Sequence, residues 1–354
     1  MRRLGQPTLS VITICYNHEK YIGQALESIL AQKTNFTFTV IVADDGSTDS
    51  TQAIIRSYAQ KFPQIIRPIL RRKNIGATPN FFDALKKARG KYIALCEGDD
   101  FWTDPAKLQT QVDYLEKHPK VAFCFHPVKV FFEDNREPAK NVPPLKSKAS
   151  QWTLERLVEG NFIHTCSVVF RRRDYRDLNP EAIPTDWHLH LYNAQFGTIG
   201  WINKSMAAYR RHPEGLWWDG HVNPTNFWKK FGIHELTVYA EAERMHGDKP
   251  GVRERLTRGV ASRLSSILRA DQTTFLTAAK KFPGFVVRYA NFLLEQYQGS
   301  NTELDELRQK LQATREELEK VKAELGQTGK ELKLIRTSRS WRYLTKLRRL
   351  LKGN

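Results

Sequence analysis

Phe38–Asp49 reads FTVIVADDGSTD, and the architecture of the chain follows from how that stretch breaks. Phe38–Ala43 has the β-branched, apolar character of a strand, and it runs straight into Asp44, Asp45, Gly46, Ser47, Thr48 and Asp49. Those are turn and helix N-cap residues, and a helical pattern over Ser50–Lys61 follows them. Upstream, Leu9–Cys15 is another strand pattern, and Glu19–Gln32 places Ile22, Ala25, Leu26 and Ile29 on one helical face. Downstream come strand Ile65–Leu70, helix Asn80–Ala88 and strand Tyr92–Cys96. This alternation predicts an α/β fold, a mostly parallel sheet with helices on both faces. Such sheets bind ligands beyond the carboxyl ends of their strands. The acidic clusters after Ala43 and after Cys96 both fall there.

Further along, Val121–Phe132 reads as one strand and Glu133–Ser150, with three prolines and several lysines, as a mobile loop or lid. Trp152–Glu159 reads as helix, Thr165–Phe170 as strand, Trp187–Gln195 as helix and Thr198–Ile202 as strand. From Thr225 to Gln298 the pattern is mostly helical. A heptad begins at Leu304, with Leu304, Leu311, Leu318, Leu325 and Leu332 at a, and Leu307, Thr314, Val321, Thr328 and Ile335 at d. That repeat predicts a coiled coil over 301–335 and a homo-oligomer through it. The expected domains are 1–220, a helical region 221–300, the coiled coil 301–335 and a basic amphipathic helix 336–354.

The 354 residues carry a net charge of +18, with 40% hydrophobic residues, which excludes global disorder. Residues 301–335 sum to −1 and 336–354 to +7, so +12 belongs to the first 300. The last segment interleaves seven Lys and Arg with Trp341, Leu344, Leu347 and Leu351 at helical spacing, with Tyr343 and Leu350 beside them, the pattern of a helix lying on an anionic membrane. No apolar run is long enough to span a bilayer. Arg2 and Arg3 before Leu9–Cys15 imitate a signal peptide, but Asn17–Lys20 interrupts it. The chain is therefore expected in the cytoplasm, peripheral on the inner face of the cell membrane. Cys15, Cys96, Cys124 and Cys166 lack CxxC spacing and read as reduced, buried thiols. No RNA-recognition motif or zinc finger accompanies the charge, so a nucleic-acid partner is not expected.

Carboxylates that share a pocket repel, and a divalent cation or a set of donors keeps them ionised. Asp44–Asp49 could serve only to cap the helix after it. Glu97-Gly98-Asp99-Asp100 exceeds what a cap needs, and its oxygens suit Mg2+ or Mn2+ bound jointly with phosphates. No GxGxxG or GxxxxGK[ST] follows any strand. Phosphates would be held through the cation, by Arg71, Arg72 and Lys73, and by backbone N–H groups. His188 and His190 sit at i and i+2, on different helical faces, and do not form a metal site with Asp186.

Four motifs in register, Leu9–Asn17 (LSVITICYN), Val42–Asp49 (VADDGSTD), Asn74–Gly76 and Ala88–Asp100 (ARGKYIALCEGDD), resemble an inverting family 2 glycosyltransferase of the GT-A fold and bacterial cell-surface glycan type. The resemblance extends through Asp186 and Tyr209–His212. It implies that Thr13, Tyr16, Asn17, Asp44, Asp45, Asn74, Gly76, Glu97, Gly98 and Asp99 bind the nucleotide sugar, with Asp45 meeting a uracil-type base. Asp99, Asp100 and His212 would take the metal, and Asp186, in Thr185-Asp186-Trp187, would be the catalytic base. Glu97 stands where the family more often has Asp, and the proline usual near Thr13 is missing. The implied reaction is metal-dependent, hexosyltransferase-type transfer from a UDP-type donor to a glycan or lipid-linked acceptor in polysaccharide synthesis. A rival from another class is a catalytically idle, membrane-associated coiled-coil scaffold that keeps the fold; it has no use for Asp45, Asp99 and Asp186 together.

Overall fold

The alternation of short apolar runs and helical patterns becomes, in a computed structural model describing residues 7–215, 218–296, 316 and 327, two sheets wrapped in helices. Strand β1 (Leu9–Cys15) leads to α1 (Ile22–Leu30), β2 (Phe38–Asp44) to α2 (Thr51–Lys61), and β3 (Ile66–Leu70) to α3 (Ala77–Lys87). Next come β4 (Tyr92–Leu95), β5 (Phe101–Trp102), α4 (Lys107–Lys117), β6 (Val121–Phe125), β7 (Val128–Phe132), β8 (Lys140–Val142) and α5 (Leu154–Leu157). Strand β9 (Val169–Arg171), α6 (Thr185–Asn193), β10 (Thr198–Trp201) and β11 (Ala207–Arg211) complete the sheets. Helices α7 (Asp219–Val222), α8 (Pro224–His246), α9 (Val252–Ala270), α10 (Gln272–Lys281) and α11 (Pro283–Gln296) follow. Residues 1–285 form one compact unit and 286–354 a second. The predicted coiled coil (301–335) and basic helix (336–354) lie outside the described residues, apart from positions 316 and 327. Among the described residues no helix is long and apolar enough to cross a membrane.

The main sheet has the order β10-β6-β9-β4-β1-β2-β3. Its pairs are parallel except at β9, which runs antiparallel between β4 and β6. Helix α1 buries Ile22, Ala25, Leu26 and Ile29, the face read from the sequence. Each large side chain sealed this way contributes about 1.5–3 kcal/mol. The second sheet, β5-β11-β7-β8, is the one that builds the site. Strand β5 begins directly after Asp100 and pairs with β11 through Phe101↔Ala208 and Trp102↔Ala207. This pairing carries residues 210–212 to the acids at 97–100.

The structure corrects several sequence expectations. Val121–Phe132 is two strands in two sheets, not one. Pro127 has no N–H for a ladder, and the chain changes sheet at His126-Pro127. The expected lid is partly fastened, because β8 pairs antiparallel with β7 through Val128↔Val142, Lys129↔Asn141 and Val130↔Lys140. Helix α3 starts at Ala77, three residues before Asn80, since Pro79 is tolerated in a first turn. Thr165–Ser167 is a 3-10 turn, and the strand after it is antiparallel.

Under β5 the core contains a buried cation. Lys107 is fully buried, its Nζ 2.7 Å from Gln111 Oε1 and 4.2 Å from the centroid of the Trp102 ring. Burial lowers its pKa to about 8. All four cysteines are buried, free thiols.

Candidate active site

The stretch 44–49 divides its duties residue by residue. Asp44 is fully buried and accepts hydrogen bonds from the N–H groups of Gly46 (3.1 Å) and Ser47 (3.0 Å), from the Ser47 hydroxyl and from Gln52 Nε2 (2.6 Å). It organises the turn and lies outside the cavity wall. Asp49 accepts from Thr51 N (2.9 Å) and Glu19 N (3.0 Å), bracing the turn that leads into α2, whose N-cap position is Ser50. Asp45 alone faces the cavity. Its two carboxylate oxygens accept from Ile75 N and Gly76 N, each at 2.9 Å. That contact needs loop 73–76 to approach Gly46, where φ is +76° and a Cβ would stand 2.6 Å from the Lys73 carbonyl carbon.

After β1, Asn17 adopts a φ of 55°, accepts from Thr48 N (2.9 Å) and donates its own N–H to Ser47 Oγ (2.8 Å). It latches two loops. Tyr16 is exposed at the cavity rim, while Thr13 is buried in β1, away from the cavity, with its hydroxyl unpartnered. The cavity, of about 340 Å³, is lined by Tyr16, His18, Asp45, Asn74, Glu97 and Asp99 on one side and by Tyr209–His212, Glu214 and Trp218 on the other. None of Arg71, Arg72 and Lys73 reaches it. Arg71 stands behind the wall, held by Asn80 Oδ1 (2.9 Å) and Asp83 Oδ2 (2.7 Å), with its Nε 3.9 Å from Asp45 Oδ1.

The acids after β4 separate as well. Asp99 Oδ2 lies 3.2 Å from His212 Nε2 and 3.8 Å from His18 Nε2. His212 Nδ1 is 3.0 Å from Glu214 Oε2, and Tyr21 donates to Glu133 (2.8 Å) and Glu214 (3.4 Å). Burial would raise the Asp99 pKa, but the two histidines outweigh it and hold the carboxyl low. In His212 burial is likewise outweighed, by Asp99 and Glu214, and its pKa rises. Asp100 turns inward: its Oδ1 accepts from Arg210 N (2.9 Å), and its buried Oδ2 has no partner. Burial and the charge of Asp99 push its pKa well up. Glu97 is pushed the same way by burial and by Asp99, Asp100 and Asp186. Gly98 is required for close packing, since a Cβ there would meet Cys15 Cβ at 2.7 Å and His18 Nδ1 at 2.9 Å.

Two groups could hold a cation, His18-Asp99-His212 and Glu97-Asp99-Asp100, their ligand atoms within 4.8 Å of one another. The second offers three carboxylates and the first two imidazoles and a carboxylate, with Asp99 common to both. Mixed N/O ligands of this kind suit Mn2+ better than Mg2+. The sequence reading missed His18, Tyr21 and Glu214. His18 directly follows Tyr16-Asn17, and that adjacency is the signal that could have found it.

Asp186, at the start of α6, lines a second cavity of about 70 Å³ with Thr78, Phe81, Thr165 and Thr185. Its Oδ2 accepts from Asn161 Nδ2 (3.0 Å) and Thr165 Oγ1 (3.2 Å), and its Oδ1 from Trp187 N (2.8 Å). Burial raises its pKa despite those donors. Ile14, Ala77 and Glu97 are walls of both cavities. His188 and His190 are buried on α6; His190 stacks on Phe123, and neither joins a metal group with Asp186.

A mostly parallel sheet, extended by a short second sheet that closes a carboxylate- and histidine-lined cavity at its strand ends, defines a GT-A glycosyltransferase. The glycosyl transferase family 2 model matches residues 10–178, and an uncharacterized Mycobacterium tuberculosis protein is 46% identical over 244 residues, 68% of this chain and 70% of that one. The chain belongs to glycosyl transferase family 2. TuaG of Bacillus subtilis, a putative teichuronic acid biosynthesis glycosyltransferase, is 28% identical over 246 residues, 68% of this chain and 90% of that one. Two solved structures share the fold. S. aureus TarS 1-349 in complex with UDP-GlcNAc matches with a TM-score of 0.52 at 18% identity, over 83% of this chain and 94% of that one. The mannosyltransferase PcManGT from Pyrobaculum calidifontis, in complex with GDP-Man and Mn2+, matches with 0.53 at 16% identity, over 83% and 81%.

Proposed function

We propose that this glycosyltransferase moves a sugar, with inversion, from a UDP-type nucleotide sugar to a hydroxyl of a glycan or lipid-linked acceptor in cell-surface polysaccharide synthesis. The observation that carries this reading is the shared wall. Glu97 borders both the cavity of Asp45, Asp99 and His212 and the cavity of Asp186. A donor in the first therefore presents its sugar beside the carboxylate in the second.

In this reading Tyr16, Asn74 and Asp45 receive the nucleoside, with Asp45 kept in place by Ile75 and Gly76. Asn17, Asp44 and Gly76 shape the loops around it, and His18, Asp99 and His212 hold the divalent cation. A cation there supplies Lewis-acid stabilisation of charge on the leaving diphosphate. The acceptor oxygen forms a bond to C1 as the C1–O bond to the diphosphate breaks, and Asp186 takes the hydroxyl proton. A single displacement of this kind inverts C1. Asp186 is oriented for this by Asn161, Thr165 and the Trp187 N–H.

Names of relatives support a nucleotide-sugar donor and a cell-surface product: one is a putative teichuronic acid biosynthesis glycosyltransferase, and two structural neighbours hold UDP-GlcNAc and GDP-Man. Residues 301–335 would set a homo-oligomer and 336–354 would hold the enzyme at the inner membrane face. The test is a panel of nucleotide sugars with Mn2+, read by thermal shift and then by transfer to lipid-linked glycan acceptors. Stabilisation by a UDP-sugar and product of inverted anomeric configuration are expected. Absence of any nucleotide-sugar response, or a retained configuration, would sink the reading.

A further inference from the structure

Four acids line the larger cavity, Asp45, Glu97, Asp99 and Glu214, so an anionic ligand enters it only against repulsion unless cations answer it. Most charged groups of that wall are already engaged. Asp45 is held by two backbone N–H groups, Asp99 by His212 and His18, and Glu214 by His212. Arg210 donates to the Asp99 carbonyl oxygen (3.0 Å) and to Gln24 (2.6 Å), with Glu133 at 4.0 Å. Its neighbour differs. Arg211 lines the same cavity, its buried Nε has no hydrogen-bond partner, and among the described residues no carboxylate lies within 4.0 Å of its guanidinium.

The Glu137 carboxylate acts on it only from beyond that distance, and a partly buried guanidinium with no closer counter-ion is unfavourable unless something completes it. Two aromatic rings flank it, the Phe132 centroid at 5.5 Å and the Tyr209 centroid at 5.8 Å. The planar fork of a guanidinium matches the oxygens of a phosphate. The basic run Arg71–Lys73 lies outside this cavity and leaves that task to another residue. Resting on the donor-site reading above, we infer that Arg211 is the residue that binds the diphosphate of the donor, through its unpaired guanidinium.

The test is calorimetric titration of the full chain in Mn2+ with uridine, UMP and UDP (and GDP in parallel), for wild type, Arg211→Gln and Arg211→Lys. Arg211→Gln is expected to weaken diphosphate binding about ten- to a hundredfold, the effect of losing a charge-assisted contact. Uridine affinity should stay within about twofold, which also certifies the fold, and Arg211→Lys should fall between. Diphosphate binding within about twofold of wild type in Arg211→Gln, or an equal loss with uridine, overturns the assignment alone. A wild type that binds neither UDP nor GDP overturns the donor-site reading and this assignment with it. A carboxylate on the donor sugar offers the same chemistry. A loss seen with UDP-glucuronic acid but not with UDP-glucose would therefore also refute the diphosphate contact.

Discussion

Thr78 Oγ1 lies 2.8 Å from Thr185 Oγ1, a hydrogen bond between residues 107 apart in sequence. Thr78 belongs to the first turn of α3, the helix that follows the Asp45-bound loop, and Thr185 immediately precedes Asp186. The contact ties the loop proposed to receive the donor to the helix proposed to carry the base.

Thr78→Val should therefore lower kcat while leaving donor affinity within about twofold. The expected loss is about three- to tenfold, the scale of one net hydrogen bond, and Thr78→Ser should restore it. Steady-state kinetics with donor titrations check this. A rise in donor KM at constant kcat would assign Thr78 to ground-state binding instead.

Asp186→Asn should retain donor binding and lose transfer by about a hundredfold or more. As the proposed base Asp186 would work ionised, and burial raises its pKa, so activity should fall with acid at a higher pH than an ordinary carboxylate requires. Thr165→Val removes one donor to the ionised form and should move that acid limb further up. The pH dependence of kcat in the two proteins measures it.

Much of this was legible in the sequence, and the reasons for the rest are physical. Leu9–Cys15 and Phe38–Ala43 declare themselves because parallel strands buried on both faces are continuous apolar runs. Asp99 and Asp186 were singled out through local motifs. Glu214 was not, because it joins His212 beside Asp99 only when β5 pairs with β11 across about a hundred residues, and His18 was passed over although it adjoins Tyr16-Asn17. Arg71–Lys73 misled for the converse reason, since a basic run carries no information about which acids it will meet. Val121–Phe132 concealed its break because hydrophobic pattern cannot say which sheet a strand joins.

Gly98→Ala should lower thermal stability and, in the protein that still folds, weaken Mn2+ binding roughly tenfold, the usual cost of disturbing the support of a ligand. The added Cβ would collide with Cys15 and displace the His18 ring. Thermal shift against Mn2+ concentration reads this directly. An unchanged Mn2+ response would remove His18 from the ligand set.

Lys107 predicts a pH signature in stability. Below about pH 8 folded and unfolded chains both hold its proton, and the folded state bears the desolvation cost. Between about 8 and 10.5 the folded chain releases the proton while the unfolded chain keeps it, so stability from this group rises with pH. Burial raises the pKa of all four thiols, and they act oppositely at the alkaline end. The quantity to measure is wild-type stability minus that of Lys107→Met by denaturant unfolding. It should increase by on the order of 1–3 kcal/mol across that window.

The double duty of Glu97 has a consequence for how such an enzyme can diversify. Because one side chain borders both cavities, a substitution at 97 alters the proposed donor site and the proposed base site in the same step. A lineage acquiring a new sugar through this position would have to retune its base at once, whereas changes at Tyr16 or Trp218, which border only the larger cavity, remain free to drift. Variation in donor preference should accordingly accumulate at the rim, and position 97 should change only together with the surroundings of Asp186.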